Sequence, residues 1–183
     1  YSNGSIALQN GLQDLAIDQW SKSISSQRTH LQDIFDQAGR RMQPIEIARH
    51  LIPPDRVDLF ARLVQDADQE SPMVAADVGE ELIEFLSEET TDEKGYRSAA
   101  LAGIYQAMGD RKLAIDHWKL ALDASNKNHV FRFNYAQALR QSGKFQEALQ
   151  QSILGATLHP EDHRFADLTL RIRQDISRQR DFD

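Results

Sequence analysis

Two histidines near the C-terminus have the residue type and the surroundings that a metal ion requires. His159 and His163 enclose Pro160-Glu161-Asp162, and imidazoles with a nearby carboxylate are common zinc ligands. The proline places both imidazoles in a turn, so the helical i,i+4 geometry of a zinc motif is not available. We therefore interpret this cluster as a polar turn between two helices and predict no metal site.

A run of carboxylates forms a second cluster, whose residue types suit acid–base catalysis. No basic residue interrupts it before Lys94, and its members are Asp77, Glu80, Glu81, Glu84, Glu88, Glu89, Asp92 and Glu93. Because no apolar segment encloses these side chains, we interpret them as a solvated helix face rather than an active site. Attraction of a basic partner to this face remains an open alternative.

Other catalytic signatures are absent from the sequence. Ser142-Gly143-Lys144 lacks the upstream glycine and the strand of a phosphate-binding loop, and neither GxSxG nor HExxH occurs. The chain contains no cysteine, which excludes disulfides, CxxC redox pairs and thiolate nucleophiles. We therefore predict that the chain is not an enzyme and holds no cofactor.

Composition limits the partners and leaves the compartment open. The 183 residues carry a net charge of −7, which argues against nucleic-acid binding because such binding requires clustered Lys and Arg. No apolar run approaches the roughly 20 residues that span a bilayer, and there is no signal-peptide core. Since the sequence begins with Tyr1 rather than Met, we expect an upstream segment, and a cytoplasmic or a periplasmic or secreted location fits equally.

One pattern recurs along the chain with a period of 34 residues. Gly109 and Gly143 are separated by this distance, and Gly11 precedes the same Leu-Ala-Ile-Asp and Trp residues as Gly109 at identical spacing. Small residues keep this register in the pairs Ala102 and Ala136, Ala114 and Ala148, and Ala121 and Gly155. Such a period is the signature of a solenoid built from stacked units.

Each copy has the pattern of two helices joined by a glycine turn. Residues 96–108 and 111–124 place alanines and aromatic residues at helical spacing. Gly109 lies between them, where a left-handed residue without Cβ commonly ends a helix. Trp20 and Trp118 occupy the same position in two copies, so we predict that both lie in the core.

These residues resemble the tetratricopeptide repeat (TPR), specifically over residues 95–162 and in truncated form over 1–25. The matching residues are Leu101, Ala102, Tyr105, Gly109, Ala114, Trp118 and Ala121, then Tyr135, Ala136, Leu139, Gly143, Ala148, Gly155 and Pro160, with Gly4, Ala7, Gly11, Ala16, Trp20 and Ser23 at the N-terminus. The departures are Ser98 and Arg132 where the family favours Trp, Ser152 for an aromatic residue, and Asn126 for Pro. The resemblance implies an all-α fold, a right-handed superhelix of stacked antiparallel helix pairs.

The resemblance also suggests a domain organisation. We expect a truncated helix pair over 1–25, degenerate repeats over 26–94, two repeats over 95–128 and 129–162, and a capping helix with a tail over 163–183. For 26–94 we predict four helices in two hairpins, with Asp55 capping one and Ser71-Pro72 beginning another. An unrelated helical insert is the alternative for 26–94, and the start of a further repeat is the alternative for the cap.

The resemblance further implies that partners, often extended peptides, bind on the surface formed by the first helix of each pair. Transferred residue by residue, the inward positions are Tyr96, Ala99, Gly103 and Gln106, then Val130, Phe133, Asn134, Gln137 and Arg140, then Arg164, Asp167 and Arg171. Arginines at such positions suit a carboxylate on the ligand. The alternative is that Phe133 packs on the adjoining repeat and the arginines only keep the surface soluble.

From these features we predict a non-catalytic scaffold that binds a peptide or protein segment in the groove of a TPR solenoid, the partner carrying an acidic group. One alternative is an accessory region of a larger enzyme or membrane-anchored protein whose catalytic part lies outside this chain. Another is a self-associating module, for example a homodimer, because solenoid ends can expose apolar faces.

Overall fold

The computed structural model describes residues 2–26, 31–53, 55–88, 92 and 94–180, and every regular element in them is an α-helix. The chain forms two compact units, Tyr1–Glu88 and Glu89–Asp183. The first contains α1 Ser2–Gln9, α2 Gln13–Ser26, α3 Leu31–Ala38, α4 Pro44–Leu51, α5 Asp58–Asp68 and α6 Pro72–Ser87. The second contains α7 Tyr96–Ala107, α8 Arg111–Ala124, α9 His129–Gln141, α10 Phe145–Leu158 and α11 Arg164–Arg180.

Helices that follow one another in the chain pack as pairs. In the second unit α7 packs on α8 and α9 on α10, while α8 also packs on α9 and α11 on both α10 and α9. Short connections make consecutive helices antiparallel neighbours, so this unit is a stack of helix pairs. In the first unit the closest pairs are α1 with α2 and α5 with α6. The predicted all-α, TPR-like arrangement is confirmed.

Glycines make the turns inside three of the pairs. Gly11, Gly109 and Gly143 have φ values of +75°, +84° and +76°, a left-handed conformation that costs a residue with a Cβ about 1–2 kcal/mol. Glycine recurs at this position of the repeat because the turn between the two helices requires a left-handed backbone conformation in each of the three pairs.

Small and aromatic residues fill the space between helices as the repeat pattern predicts. Ala102, Ala121 and Ala136 are fully buried, and a Cβ on Gly155 would lie 2.1 Å from the Phe165 ring. Only a residue without a side chain fits at this last position, because the α11 aromatic ring occupies the space.

Both tryptophans belong to the core. Trp20 is 0% exposed and Trp118 is 4% exposed, so the prediction for these residues is confirmed. Trp20 lies so close to Gly4 that a Cβ there would collide with the indole ring, and Trp118 contacts the Phe131 ring at 6.3 Å between centroids.

The two predicted starts of helices in the first unit had different outcomes. Ser71 caps α6 by accepting a hydrogen bond from the Val74 amide at 3.2 Å, as predicted. Asp55 does not cap α5, which begins three residues later at Asp58. The Arg56 amide instead donates to the Pro53 carbonyl at 2.9 Å, and this turn carries the chain past Asp55 before the helix starts.

The last helix presents an apolar side to its neighbours. Phe165, Leu168 and Ile172 are buried, whereas Ile176 is only half-buried near the end of α11. In the part of the chain that the structure describes, no helix combines the length and the apolarity needed to cross a bilayer.

Candidate functional site

The predicted binding residues all lie on α7 and α9, the first helices of the two pairs in the second unit, and on α11, the helix that follows them. We call them the first-helix surface, and they are Tyr96, Val130, Phe133, Asn134, Gln137, Arg140, Arg164 and Arg171. All eight are partly or fully exposed. Of the further inward positions, Ala99 is fully buried and therefore cannot line a surface, since it lies in the tight contact between helices.

Phe133 packs against two residues of α11. Its ring meets the Phe165 ring edge-on, with centroids 5.7 Å apart and planes at 80°. The Arg164 guanidinium lies over the same ring at 4.8 Å, a distance at which a cation attracts an aromatic face. Phe133 thus packs against the adjoining helix, as the sequence alternative stated, and it is still partly exposed.

Two of the three arginines are already paired within the chain. The Arg140 Nε atom donates to the Asp175 Oδ2 atom at 2.6 Å, and Arg164 donates to both Asp162 carboxylate oxygens at 2.8 and 2.7 Å. These Arg164 hydrogen bonds hold the pKa of the Asp162 carboxyl well below its usual value, with a further contribution from His129. A ligand carboxylate at either arginine must therefore share the guanidinium with an aspartate, using the N–H donors that the aspartate leaves free.

The amide side chains at the predicted inward positions differ in their bonding. Among the described residues, Asn134 and Gln137 have no side-chain hydrogen-bond partner. Gln106 instead accepts from the Trp118 indole at 3.3 Å and donates to Gln141 at 3.1 Å. Gln106 therefore links α7, α8 and α9, whereas Asn134 and Gln137 retain their hydrogen-bonding capacity.

The sequence reasoning missed the structural role of Arg132. This side chain is 6% exposed and donates to the Gln151 side chain at 2.8 Å and to the Asn126 carbonyl at 2.7 Å. Burial lowers the pKa of its guanidinium. One indication of this role was visible beforehand, since Arg132 stands where the repeat family favours Trp. Its guanidinium replaces an aromatic ring and joins α10 to the turn before α9 by hydrogen bonds.

Phe131 also escaped the sequence analysis. It is buried, and Tyr96 of the first-helix surface meets its ring edge-on at 5.8 Å and 85°. Because Phe131 also contacts Trp118, the Tyr96 ring is supported from the core. Tyr96 and Phe133 are therefore both held by aromatic neighbours on another helix.

The histidine cluster has a different arrangement from the one considered at the sequence level. His159 lies beside His129 of α9, with ring centroids 5.3 Å apart, and the His129 Nδ1 atom is 2.9 Å from the Asp162 Oδ2 atom. His163 is exposed. Over the residues that the structure describes, no group of three His, Asp or Glu side chains has a geometry suited to a metal ion.

Comparisons with known proteins find similarity among solved structures but not among family models or curated proteins. No protein-family model matches the chain, and no curated protein matches it. The crystal structure of MamA aligns with 95% of this chain and 84% of that chain, at a TM-score of 0.48 and 12% sequence identity. A similarity at this level assigns neither a family nor a function. The description of the fold as a TPR-like helical repeat therefore rests on the packing of this chain's own helices.

Proposed function

We propose that the chain is a non-catalytic scaffold of the tetratricopeptide repeat family that binds a peptide or protein segment on its first-helix surface. The observation that carries this proposal is that the Phe133 ring packs on neighbouring side chains and is still partly exposed. Phe165 and Arg164 fix its ring in place, and part of the ring remains exposed. A rigid aromatic group of this kind offers a partner apolar contact with little loss of conformational entropy.

The groups around Phe133 suggest how a bound segment is recognised. The Asn134 and Gln137 amides each combine donors and an acceptor, which suits the N–H and C=O groups of a peptide backbone. Among the described residues Arg171 has no ion-pair partner. Arg171 is therefore the arginine of this surface whose whole guanidinium is open to an acidic group, while Arg140 and Arg164 already bond an aspartate with part of theirs.

The repeat boundaries form part of the same proposal. Repeats at 95–128 and 129–162 each contain one complete helix pair, α7 with α8 and α9 with α10. The cap at 163–183 contains α11, the truncated pair at 1–25 corresponds to α1 and most of α2, and the degenerate repeats at 26–94 contain α3 to α6. Of these four helices, α5 and α6 pack closely as one hairpin, which fits a degraded repeat, and an unrelated insert stays the alternative for 26–94.

Selection of peptides from a random library on the full chain tests the proposal. We expect selected peptides to bind Phe133→Ser and Gln137→Ala about tenfold more weakly than the wild type, as measured by fluorescence polarisation. Leu120→Ser is the control, since this exposed leucine lies on α8 outside the first-helix surface. Circular dichroism verifies that each variant keeps its helices.

Two results contradict the proposal. Selected peptides that bind both first-helix variants as well as the wild type place the binding site elsewhere. A library that yields no peptide above background contradicts peptide binding as the function.

A further inference from the structure

The last helix has one face that no described helix covers. α11 follows the first helices α7 and α9 in the repeat, and its Leu170 is 34 residues after Ala136, which is itself 34 after Ala102. Ala102 and Ala136 are 0% exposed because the second helix of their own pair packs on them, whereas Leu170 is 58% exposed. In the described part of the chain, α11 therefore has the place of a first helix without its second.

Neighbouring positions of α11 show the same contrast. Arg173 lies 34 residues after Leu139, which is fully buried, and Ala166 lies 34 after Arg132. Arg173 and Ala166 are both exposed, and Arg173 has no ion-pair partner among the described residues. We call Ala166, Leu170, Arg173 and Ser177 the open face of α11; a helix that covers it needs an apolar group for Leu170 and a carboxylate for Arg173.

Helix α6 offers this combination on its solvent side. Met73 is 75% exposed, the highest value among the large apolar residues of the described chain. Asp77, Glu80 and Glu84 follow on the same side of the helix and are exposed, without an ion-pair partner among the described residues. No basic residue occurs in α6, so nothing on this helix repels an arginine.

The order of these groups matches on the two helices. On α11 the exposed leucine comes first and Arg173 follows one turn later. On α6 the exposed methionine comes first and Asp77 follows one turn later, with Glu80 and Glu84 beyond it. With the two helices side by side and parallel, Met73 meets Leu170 and Asp77 meets Arg173.

We propose that the open face of α11 binds α6 of a second copy of this chain. The contact joins two different surfaces, so copies associate head to tail and form a closed ring or an open chain. Burial of Met73 and Leu170 supplies the apolar part, and the opposite charges supply orientation and selectivity. The residues that carry the peptide-binding proposal lie outside this contact, so the two proposals stand or fall separately.

Light scattering after size-exclusion chromatography of the full chain tests the self-association. We expect the average mass to rise above the 20.8 kDa of one chain with concentration, and to fall with added salt because exposed charges are screened. Arg173→Glu and Asp77→Arg each weaken association at least about tenfold, since like charges then face one another. Lys119→Glu, an exposed residue of α8, makes the same charge change outside the contact and leaves association unaltered.

Mixing the two variants identifies the occupant. In an equimolar mixture, Glu at position 173 of one chain faces Arg at position 77 of the other, while the remaining wild-type surfaces also pair. We expect the mixture to regain the mass of the wild type. This recovery follows only if α11 of one copy contacts α6 of another.

The apolar half of the contact has its own test. Leu170→Ser weakens association, whereas Leu120→Ser, a similarly exposed leucine on α8, does not. Because the chain has no cysteine, a Met73→Cys chain and a Leu170→Cys chain carry single thiols, and mild oxidation of their mixture yields a disulfide-linked heterodimer. A mass that stays at one chain at every concentration overturns the proposal, as does failure of the mixed charge variants to recover.

Discussion

Single residues show where the stability of this chain resides. Trp118 is nearly fully buried between the helix pairs, and its indole N–H donates to Gln106. Glu88, by contrast, is exposed at the end of α6. The same truncation to alanine therefore removes core packing at one position and only solvated atoms at the other.

The first prediction compares these two positions. Trp118→Ala lowers the free energy of unfolding by about 3–5 kcal/mol, because the lost ring leaves a cavity in a close-packed core. Glu88→Ala changes it by less than about 0.5 kcal/mol. Urea unfolding followed by circular dichroism measures both values, and equal losses contradict the assignment of the core.

The second prediction concerns acid stability at Asp162. Arg164 holds the pKa of this carboxyl below its unfolded-state value, which is about 3.9. A folded-state pKa below the unfolded one gives stabilisation that is present above about pH 4 and is lost as the pH falls toward the folded-state value. Asp162→Asn therefore lowers the thermal midpoint at neutral pH.

The pH series provides the check on this ion pair. The difference between Asp162→Asn and the wild type shrinks on acidification from about pH 5 to about pH 2, because protonation of the unfolded-state carboxyl then removes the stabilisation that the ion pair gives. Glu161→Gln serves as the control, because Glu161 is an exposed neighbour in the same turn. If the thermal midpoints of Asp162→Asn and the wild type differ by the same amount at every pH, the destabilisation at position 162 is not electrostatic.

At the scale of helices, local sequence signals succeed when the signal and its target are adjacent. Ser71 and Pro72 mark the start of α6, and Ser71 caps it as predicted. Asp55 failed as a cap because a turn with Pro53 intervenes before α5 begins. Turn geometry depends on the backbone angles of several residues together, which the identity of one carboxylate does not determine.

The third prediction belongs to this scale. Ser71→Ala removes the side-chain acceptor for the Val74 amide and costs about 1 kcal/mol. Ser87→Ala, the same substitution at the other end of α6, changes stability by less than about 0.5 kcal/mol. Unfolding in urea distinguishes them, and a Ser71 effect as small as that of Ser87 means that the cap contributes nothing.

Repeat register and tertiary pairing differ in how well the sequence reveals them. The 34-residue period indicated which residues lie on the first helices, and the structure places the predicted residues there. The pairing of Arg140 with Asp175 was not foreseen, since the two residues are 35 positions apart and their contact depends on how α9 packs on α11. Whether an arginine is available to a ligand therefore depends on tertiary packing, which the local sequence does not reveal.

At the scale of the molecule, the chain divides into two units with separate internal packing. In a repeat architecture each unit is stabilised mainly by contacts between neighbouring helices. The helices of the second unit satisfy this condition, since α7 to α11 pack on one another in sequence order.

The fourth prediction follows from this division. A fragment of residues 89–183 folds alone and unfolds in a single cooperative transition, because its helix pairs and its last helix contact each other. Circular dichroism and thermal unfolding measure this directly. A fragment without a cooperative transition shows that the second unit depends on residues 1–88.

The packing of each helix on its chain neighbours has a consequence for synthesis of the protein. Contacts between segments close in sequence form quickly and do not wait for distant parts of the chain. The pair α7–α8 can close once both helices have left the ribosome, and each later helix then finds its docking surface already formed. Translation from the N-terminus thus builds the stack in order, and an interrupted chain exposes only the side that awaits its next helix.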